Sequence, residues 1–205
     1  VNALAFGWNS IKWFIISKII RPSVSAFGIV KIILISSNAV YGNNTYKILK
    51  ENIPAIPDTI YSISKYLQEN ILRIFCKKNK ISYLCLRLGY VYGKNLNKKR
   101  IISKLVHKIK NDEKFSVYNQ NNFKFHLIHS KDVAKIICKI FKDANGTYNL
   151  ANRDNISLRK LIKFIGKSFS KKKINYKNYK KKTEIKNNIL SKEKLYKNFK
   201  IVSNI

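Results

Sequence analysis

Lys31-Ile-Ile-Leu-Ile-Ser36 is a continuous apolar run ending in small polar residues, the pattern of a parallel strand covered on both faces. After it, Asn38 to Asp58 is a loop rich in Asn, Gly and Pro. Asp58 or Thr59 can cap a helix running from about Ile60 to Lys78. Within that helix Ile63, Leu67 and Ile71 share one face, with Leu72 and Phe75 alongside. A second strand-like run, Ile81 to Leu88, follows. Strand, crossover helix, strand is a βαβ unit, so the two strands should run parallel with a right-handed crossover. Beyond Gly93 the patterning predicts helices near Ile101 to Lys110, Lys131 to Lys142 and Leu158 to Phe169. Strands are expected at Phe115 to Tyr118, Phe125 to His129 and Thr147 to Leu150. The fold class is therefore expected to be α/β.

Length and composition agree. The chain has 205 residues, 45% of them hydrophobic, enough to bury a substantial core and too apolar for general disorder. Cys76, Cys85 and Cys138 are odd in number and widely spaced, which fits reduced thiols in a cytoplasmic setting rather than a disulfide scaffold. No CxxC or Cys/His cluster points to a metal, so none is expected. The formal charge is +32, from 42 basic and 10 acidic residues. Such a charge could serve a polyanion. However, just six of the basic residues are Arg, and the lysines are scattered over most of the chain. Arg is the residue that makes bidentate contacts to bases and phosphates, so no specific nucleic-acid partner is expected. The densest basic run, Lys167 to Lys182, is the place where the contrary reading would apply.

Residues 1–28 do not fit the pattern. They hold Trp8, Trp13 and an apolar stretch, Phe14 to Ile20, interrupted by Lys18. The stretch is too short to span a membrane and lacks the flanks of a signal peptide, so no membrane partner is expected. It reads as a displaced helix ended by Pro22 and Gly28. The chain contains no methionine and starts at Val1, so it is expected to lack its natural start.

The chemistry rests on two stretches. Tyr61-Ser-Ile-Ser-Lys65 sets a phenol and an ammonium four residues apart, on one face of the expected helix. A nearby cation favours the phenolate, which makes Tyr61 a candidate general acid/base. Ser36-Ser37-Asn38-Ala39-Val40-Tyr41-Gly42 lies at the carboxyl end of the first strand, the edge where open α/β sheets bind ligands. A hydroxyl there could hydrogen-bond a substrate oxygen that Tyr61 deprotonates. Alone, either stretch is weak. A Tyr/Lys pair can be an idle surface pair, and the serine stretch a strand with its turn.

Together they are specific. Ser37 precedes Tyr61 by 24 residues, and the second strand ends in Leu86-Arg87-Leu88-Gly89-Tyr90-Val91-Tyr92-Gly93. The combination resembles the NAD-dependent epimerase/dehydratase family, the extended branch of the short-chain dehydrogenase/reductase superfamily. Leu127-Ile128-His129-Ser130-Lys131-Asp132-Val133-Ala134, Gly146-Thr147-Tyr148-Asn149-Leu150 and Leu190 to Leu195 followed by Phe199 to Ile201 resemble later family segments, in order. The likeness covers roughly residues 30–205. It implies an oxidoreductase that binds NAD or NADP and a nucleotide sugar. Tyr61 would take a proton from a sugar hydroxyl as hydride passes to the nicotinamide. Lys65 would hold the nicotinamide ribose and Ser37 would orient the sugar hydroxyl. The cofactor is then expected against Ser36, Ser37, Tyr61, Lys65 and Gly89, and the substrate against Ser37, Asn38, Tyr61, Tyr90 and Lys124. A homodimer through helices that include the Tyr/Lys one is also implied.

The sequence departs from the family at three places. The glycine-rich turn that should open such a protein is absent. The resemblance therefore implies a partial Rossmann-like parallel sheet lacking its N-terminal portion, with a smaller C-terminal α/β substrate lobe. It also implies a bare apolar sheet edge at Lys31 to Ser36 and weak NAD binding by this chain. Tyr90 stands where Asn is common, and Phe125, with Lys124 beside it, where an Arg that grips a substrate phosphate is common. The expected organisation is an atypical segment at 1–28, the rest of the Rossmann-like domain at 29–95, and the substrate lobe with remaining Rossmann-like elements at 96–205, basic from 167. A non-catalytic remnant and a basic nucleic-acid-binding protein are the alternative readings. Among single residues, His129 is expected to be structural, Arg87 a buried structural cation or else a residue that approaches the cofactor, Cys85 a core residue, Asp132 a helix cap, and His107 and His126 surface or interface residues.

Overall fold

The computed structural model describes residues 3–6, 31–94, 100–118, 124–152, 155–171, 173–180 and 189–200. Its central sheet is parallel throughout, in the order β1 (Ala3–Phe6), β2 (Lys31–Ser37), β4 (Ser82–Leu88), β9 (Gly146–Leu150). The two apolar runs are thus neighbours, joined by helix α1 (Ile60–Lys78) as the βαβ pattern requires. Each is apolar on both sides because both sides are covered. Ile32, Leu34 and Cys85 pack with Leu72 and Cys76 of α1. Ile33, Leu84 and Leu86 pack on the other face with Ile136 and Ile140 of α3 (Ser130–Ile140) and Leu195 of α5 (Glu193–Phe199). The buried ammonium of Lys31 closes the end of α3, donating to the carbonyls of Lys142 at 2.7 Å and Ala144 at 2.9 Å.

A second hydrophobic cluster lies beside the sheet. It joins α2 (Ile101–Lys110), α4 (Leu158–Ser168), β6 (Phe115–Tyr118) and β7 (Lys124–Phe125). Strand β6 pairs in parallel with β11 (Tyr176–Tyr179), and β7 pairs antiparallel with β10 (Ile156–Ser157). Two short parallel pairs tie the parts together: β5 (Tyr90–Tyr92) with β8 (Leu127–His129), and β3 (Ile48–Leu49) with β12 (Ile189–Leu190).

Several expectations need correction. The edge of β2 is not bare, because Ala3–Phe6 pairs along it from Lys31 to Leu34. Backbone pairing along a strand edge needs no side-chain signature, so the sequence of this segment did not announce it. The helix expected over Phe14 to Ile20 lies outside the described residues. The strand expected over Phe125 to His129 is two strands broken at His126, which is 5% exposed and not a surface residue. Within the lysine-rich run, Tyr176–Tyr179 is a strand, held by the Tyr176 ring stacked on Phe115 at 5.5 Å. Helix α3 starts one residue earlier than expected, so His129 is its N-cap and Asp132 lies buried in its first turn.

The roll of α1 is not what its apolar pattern alone would select. Thr59 caps it through a reciprocal pair of hydrogen bonds with Ser62, as the sequence allows. Its inward face is Ser62, Lys65, Glu69, Leu72 and Cys76. Ile63, Leu67 and Ile71 turn outward with Ile60 and Ile74.

Candidate functional site

The carboxyl ends of β2 and β4 open into a cavity of about 650 Å³. Ser36, Ser37 and Asn38 reach it from the end of β2 and the 3-10 turn at Asn38–Tyr41, and Tyr61 and Lys65 from the start of α1. Gly89 and Tyr90 line it after β4, and Lys124 lines it from β7. All eight residues singled out in the sequence therefore border one space.

Their local geometry differs. The Ser37 oxygen caps the 3-10 turn by accepting from the Ala39 amide at 3.2 Å, which leaves its own proton to donate. Ser36 is buried, and its hydroxyl donates to Oε1 of Glu69. Tyr61 is half-exposed at the cavity. Lys65 is 8% exposed, and its ammonium donates to the Ile35 carbonyl at 2.9 Å. Burial lowers the pKa of Lys65, opposed by Cys85 and Glu69. Tyr90 packs edge-on against Phe125 at 5.1 Å, and burial raises its pKa.

Two glycines shape the walls. The Tyr90 amide donates to the His126 carbonyl at 2.7 Å, and a Cβ at Gly89 would lie 2.2 Å from that same oxygen. Gly42 has φ +50°, and a Cβ there would fall 1.8 Å from the Ile56 carbonyl oxygen. Gly42→Ala is expected to cost at least about 1–2 kcal/mol from the left-handed backbone alone. A thermal melt checks this, and an unchanged midpoint would show that the loop re-forms around a side chain.

Beneath the cavity lies a polar network that sequence reading did not assemble. Glu69 of α1 forms a buried fork with Arg87 of β4, at 2.8 Å from Nη2 and 3.1 Å from Nε. Burial works against the Arg87 charge, but the bonds to Glu69 outweigh it and hold the guanidinium protonated. Arg87 also lies over the Tyr41 ring at 4.8 Å, and the Tyr41 hydroxyl donates to Asn149 Oδ1 at 2.8 Å. Arg87 is thus structural, as expected, and the buried Cys85 thiol is pushed well up by desolvation.

Two further cavity residues were missed. His126 lines the wall because β7 and β8 break there. Arg100 precedes α2 and lines the wall as well. Burial lowers its pKa, and the nearby Tyr61 partly offsets this. An isolated Arg directly after Lys98 and Lys99 carries no local signal of a site. Among the described residues no group of His, Cys, Asp or Glu could hold a metal, and no helix is long and apolar enough to cross a membrane.

Known proteins share this arrangement of elements. The UDP-N-acetylglucosamine 4-epimerase of Methanobrevibacter ruminantium is 26% identical, with a TM-score of 0.76 over 91% of this chain and 59% of that one. The dTDP-glucose 4,6-dehydratase of Bacillus anthracis, solved with NAD, is 16% identical. Its TM-score is 0.81 over 100% of this chain and 68% of that one, and it shows a shared fold. By sequence, the dTDP-4-dehydro-6-deoxyglucose reductase of Escherichia coli is 27% identical over 72% of this chain and 48% of its own length. The chain spans about half the length of the curated relatives it matches. Residues 16–151, which hold the serine stretch, the Tyr/Lys helix and the second strand, match the family directly, and the chain belongs to the NAD-dependent epimerase/dehydratase family.

Proposed function

We propose that this chain carries the reaction centre of an NAD(P)-dependent enzyme that oxidises a hydroxyl of a nucleotide sugar, in the manner of an epimerase or dehydratase. The observation that carries the reading is that Ser37, Tyr61 and Lys65 border one cavity at the carboxyl edge of a parallel sheet. Ser37 keeps a proton to donate to the sugar oxygen. Tyr61, half-exposed at the cavity, takes the proton of the sugar hydroxyl. Arg100 puts positive charge near the phenol oxygen, and Lys65 adds a second cation to the same cavity. The donor set fits a nicotinamide riboside: the ammonium of Lys65 and the hydroxyl of Tyr61 would hold the ribose, and Gly89 with the apolar Ile35 and Leu88 would border the ring. When bound, NAD(P) supplies the hydride acceptor. Ser36 supports this wall from below, since its proton is committed to Glu69.

The charge of the cavity suits an acidic substrate. Lys65, Arg100 and Lys124 line it against one carboxylate, Asp58. Arg100 offers the planar fork that is absent at Phe125, and Lys124 adds a point charge. Calorimetry with UDP and dTDP tests this part. Arg100→Met is expected to weaken binding about tenfold or more, the scale of a hydrogen bond to a charged group. The reaction itself is read by incubating UDP- and dTDP-sugars with NAD(P) and following the sugar by NMR. No nucleotide binding and no altered sugar would sink the reading.

The assembly is a homodimer through α1. Ile60, Ile63, Leu67, Ile71 and Ile74 form a lengthwise apolar stripe, and Leu67 is 57% and Ile74 68% exposed. Apolar residues at spacings of three and four match a helix–helix seam. Leu67→Glu is expected to convert the dimer to monomer in sedimentation equilibrium. A monomeric unsubstituted chain at tens of micromolar would refute the assignment. Three free cysteines, two of them buried, are consistent with a reducing cytoplasm as the place of work.

A further inference from the structure

The buried face of α1 carries Lys65 and, one turn on, Glu69. Tyr61, Lys65 and Glu69 are spaced four apart, so they rise along one side of the helix. At the upper end the Lys65 ammonium donates to the carbonyl of Ile35 in β2. At the lower end Glu69 accepts from the hydroxyl of Ser36, the next residue of the same strand. The same carboxylate takes a forked pair of bonds from Arg87 of β4. Glu69 is 6% and Arg87 6% exposed, so both ends of the fork are removed from water.

These bonds do what the apolar contacts of α1 cannot. Leu72 and Cys76 anchor the second half of the helix, but hydrophobic contact is non-directional and sets neither roll nor register. The first half presents mostly polar groups to the sheet. Forked bonds from a guanidinium fix both the position and the plane of a carboxylate. Because that carboxylate also binds Ser36, the helix is pinned to two adjacent strands at the level of the reaction centre.

We propose that Glu69 is the positioning residue of this site: through Arg87 and Ser36 it sets α1 so that Lys65 meets the Ile35 carbonyl and Tyr61 stands at the cavity. The inference rests on the reading of Tyr61 and Lys65 given above. Glu69 has a second effect, since its charge opposes the loss of the proton from the buried Lys65. The other titratable groups around Lys65 are Cys85 and Arg87 on β4, Tyr61 on its own helix, and Asp58 and Arg100 at the cavity. Of these, Cys85 also favours the charged lysine.

Trace labelling of amines by acetic anhydride across pH, read by mass spectrometry of the whole chain, follows Lys65 with no need of turnover. Lys77 and Lys78, on the same helix and exposed, are internal references. In Glu69→Gln, which keeps the shape and drops the charge, the labelling midpoint of Lys65 is expected to fall. Its rate near neutral pH should then rise severalfold, since the free-amine fraction grows about tenfold for every pH unit by which the midpoint falls. The references should not move. Glu69→Gln with Arg87→Met removes a negative and a positive charge together and should shift Lys65 less than Glu69→Gln alone, in a chain with a cooperative melt. Ser36→Ala, which removes one anchor and no charge, should raise Lys65 reactivity less. An unmoved Lys65 in any folded Glu69 variant overturns the proposal. So does failure of every Glu69 variant to fold, which would make the residue a general stability element. If the unsubstituted chain binds no nucleotide, the proposed function fails while the Lys65 result still stands or falls by itself.

Discussion

Tyr61→Phe is expected to lower kcat on a nucleotide sugar by about 10²–10⁴, in a form of the protein that turns such a sugar over. The substitution removes one oxygen and leaves a ring of the same shape. Tyr61 is half-exposed and its hydroxyl is not part of the buried network, so the fold should be spared. Far-UV circular dichroism and the melting midpoint should therefore match the unsubstituted protein. UDP binding should also persist, because the charge for a diphosphate comes from Arg100 and Lys124 at the cavity wall. The loss should thus fall on kcat more than on KM, the mark of an interaction made mainly in the transition state. Turnover that survives in Tyr61→Phe would remove the phenol from its assigned role. Turnover and UDP binding lost together would instead indicate damage to the cavity.

Arg87→Met is expected to destabilise the chain by about 3–5 kcal/mol, the cost of breaking a buried ion pair from one side. The methionine fills much of the space over the Tyr41 ring, so packing is the smaller part of the loss. The larger part is Glu69, left buried with just the Ser36 hydroxyl in place of three bonding contacts. At roughly 2–4 °C per kcal/mol for a chain of this size, the fall in melting midpoint is easily read. It should also depend on pH. A carboxylate stranded in the fold binds a proton more readily than the same group in the unfolded chain, so the variant loses stability as pH rises through the carboxyl range. Relative to the unsubstituted chain the deficit should be greatest near neutral pH and smaller in acid. Adding Glu69→Gln should recover much of the loss, because the stranded charge is gone. A deficit that ignores both pH and the second substitution would contradict the buried fork.

Much of this site could be read along the chain because its signals are local. Helix α1 begins at Thr59 and ends after Lys78 as the cap and periodicity indicate, and α2 spans the expected Ile101–Lys110. Ser37 and Tyr61 come from motifs whose spacing already implies strand, loop and helix. The misses have another character. Tyr176–Tyr179 has little that is apolar, and it becomes a strand because β6 offers it an edge and Phe115 a ring to stack on. His126 is a polar residue between Phe125 and Leu127 in a run that reads as one strand, yet it is buried where two short strands part. Arg100 gains its meaning from a cavity whose other walls include Ser37, Tyr61 and Lys124, all distant from it in sequence.

By itself, the order of residues determined the parallel βαβ unit, the bounds of its helix and the placing of a serine, a tyrosine and a lysine at its carboxyl edge. Hydrophobic period and capping act over a few residues, so they are complete in the sequence. The roll of α1 was decided by tertiary structure alone. Taken as a pattern, the helix offers its isoleucine stripe to the core, but the folded chain buries Ser62, Lys65 and Glu69 and leaves the stripe outside. The reason is that a polar face can be buried once its partners are present. Those partners, the Ile35 carbonyl, the Ser36 hydroxyl and the Arg87 guanidinium, stand on two other strands.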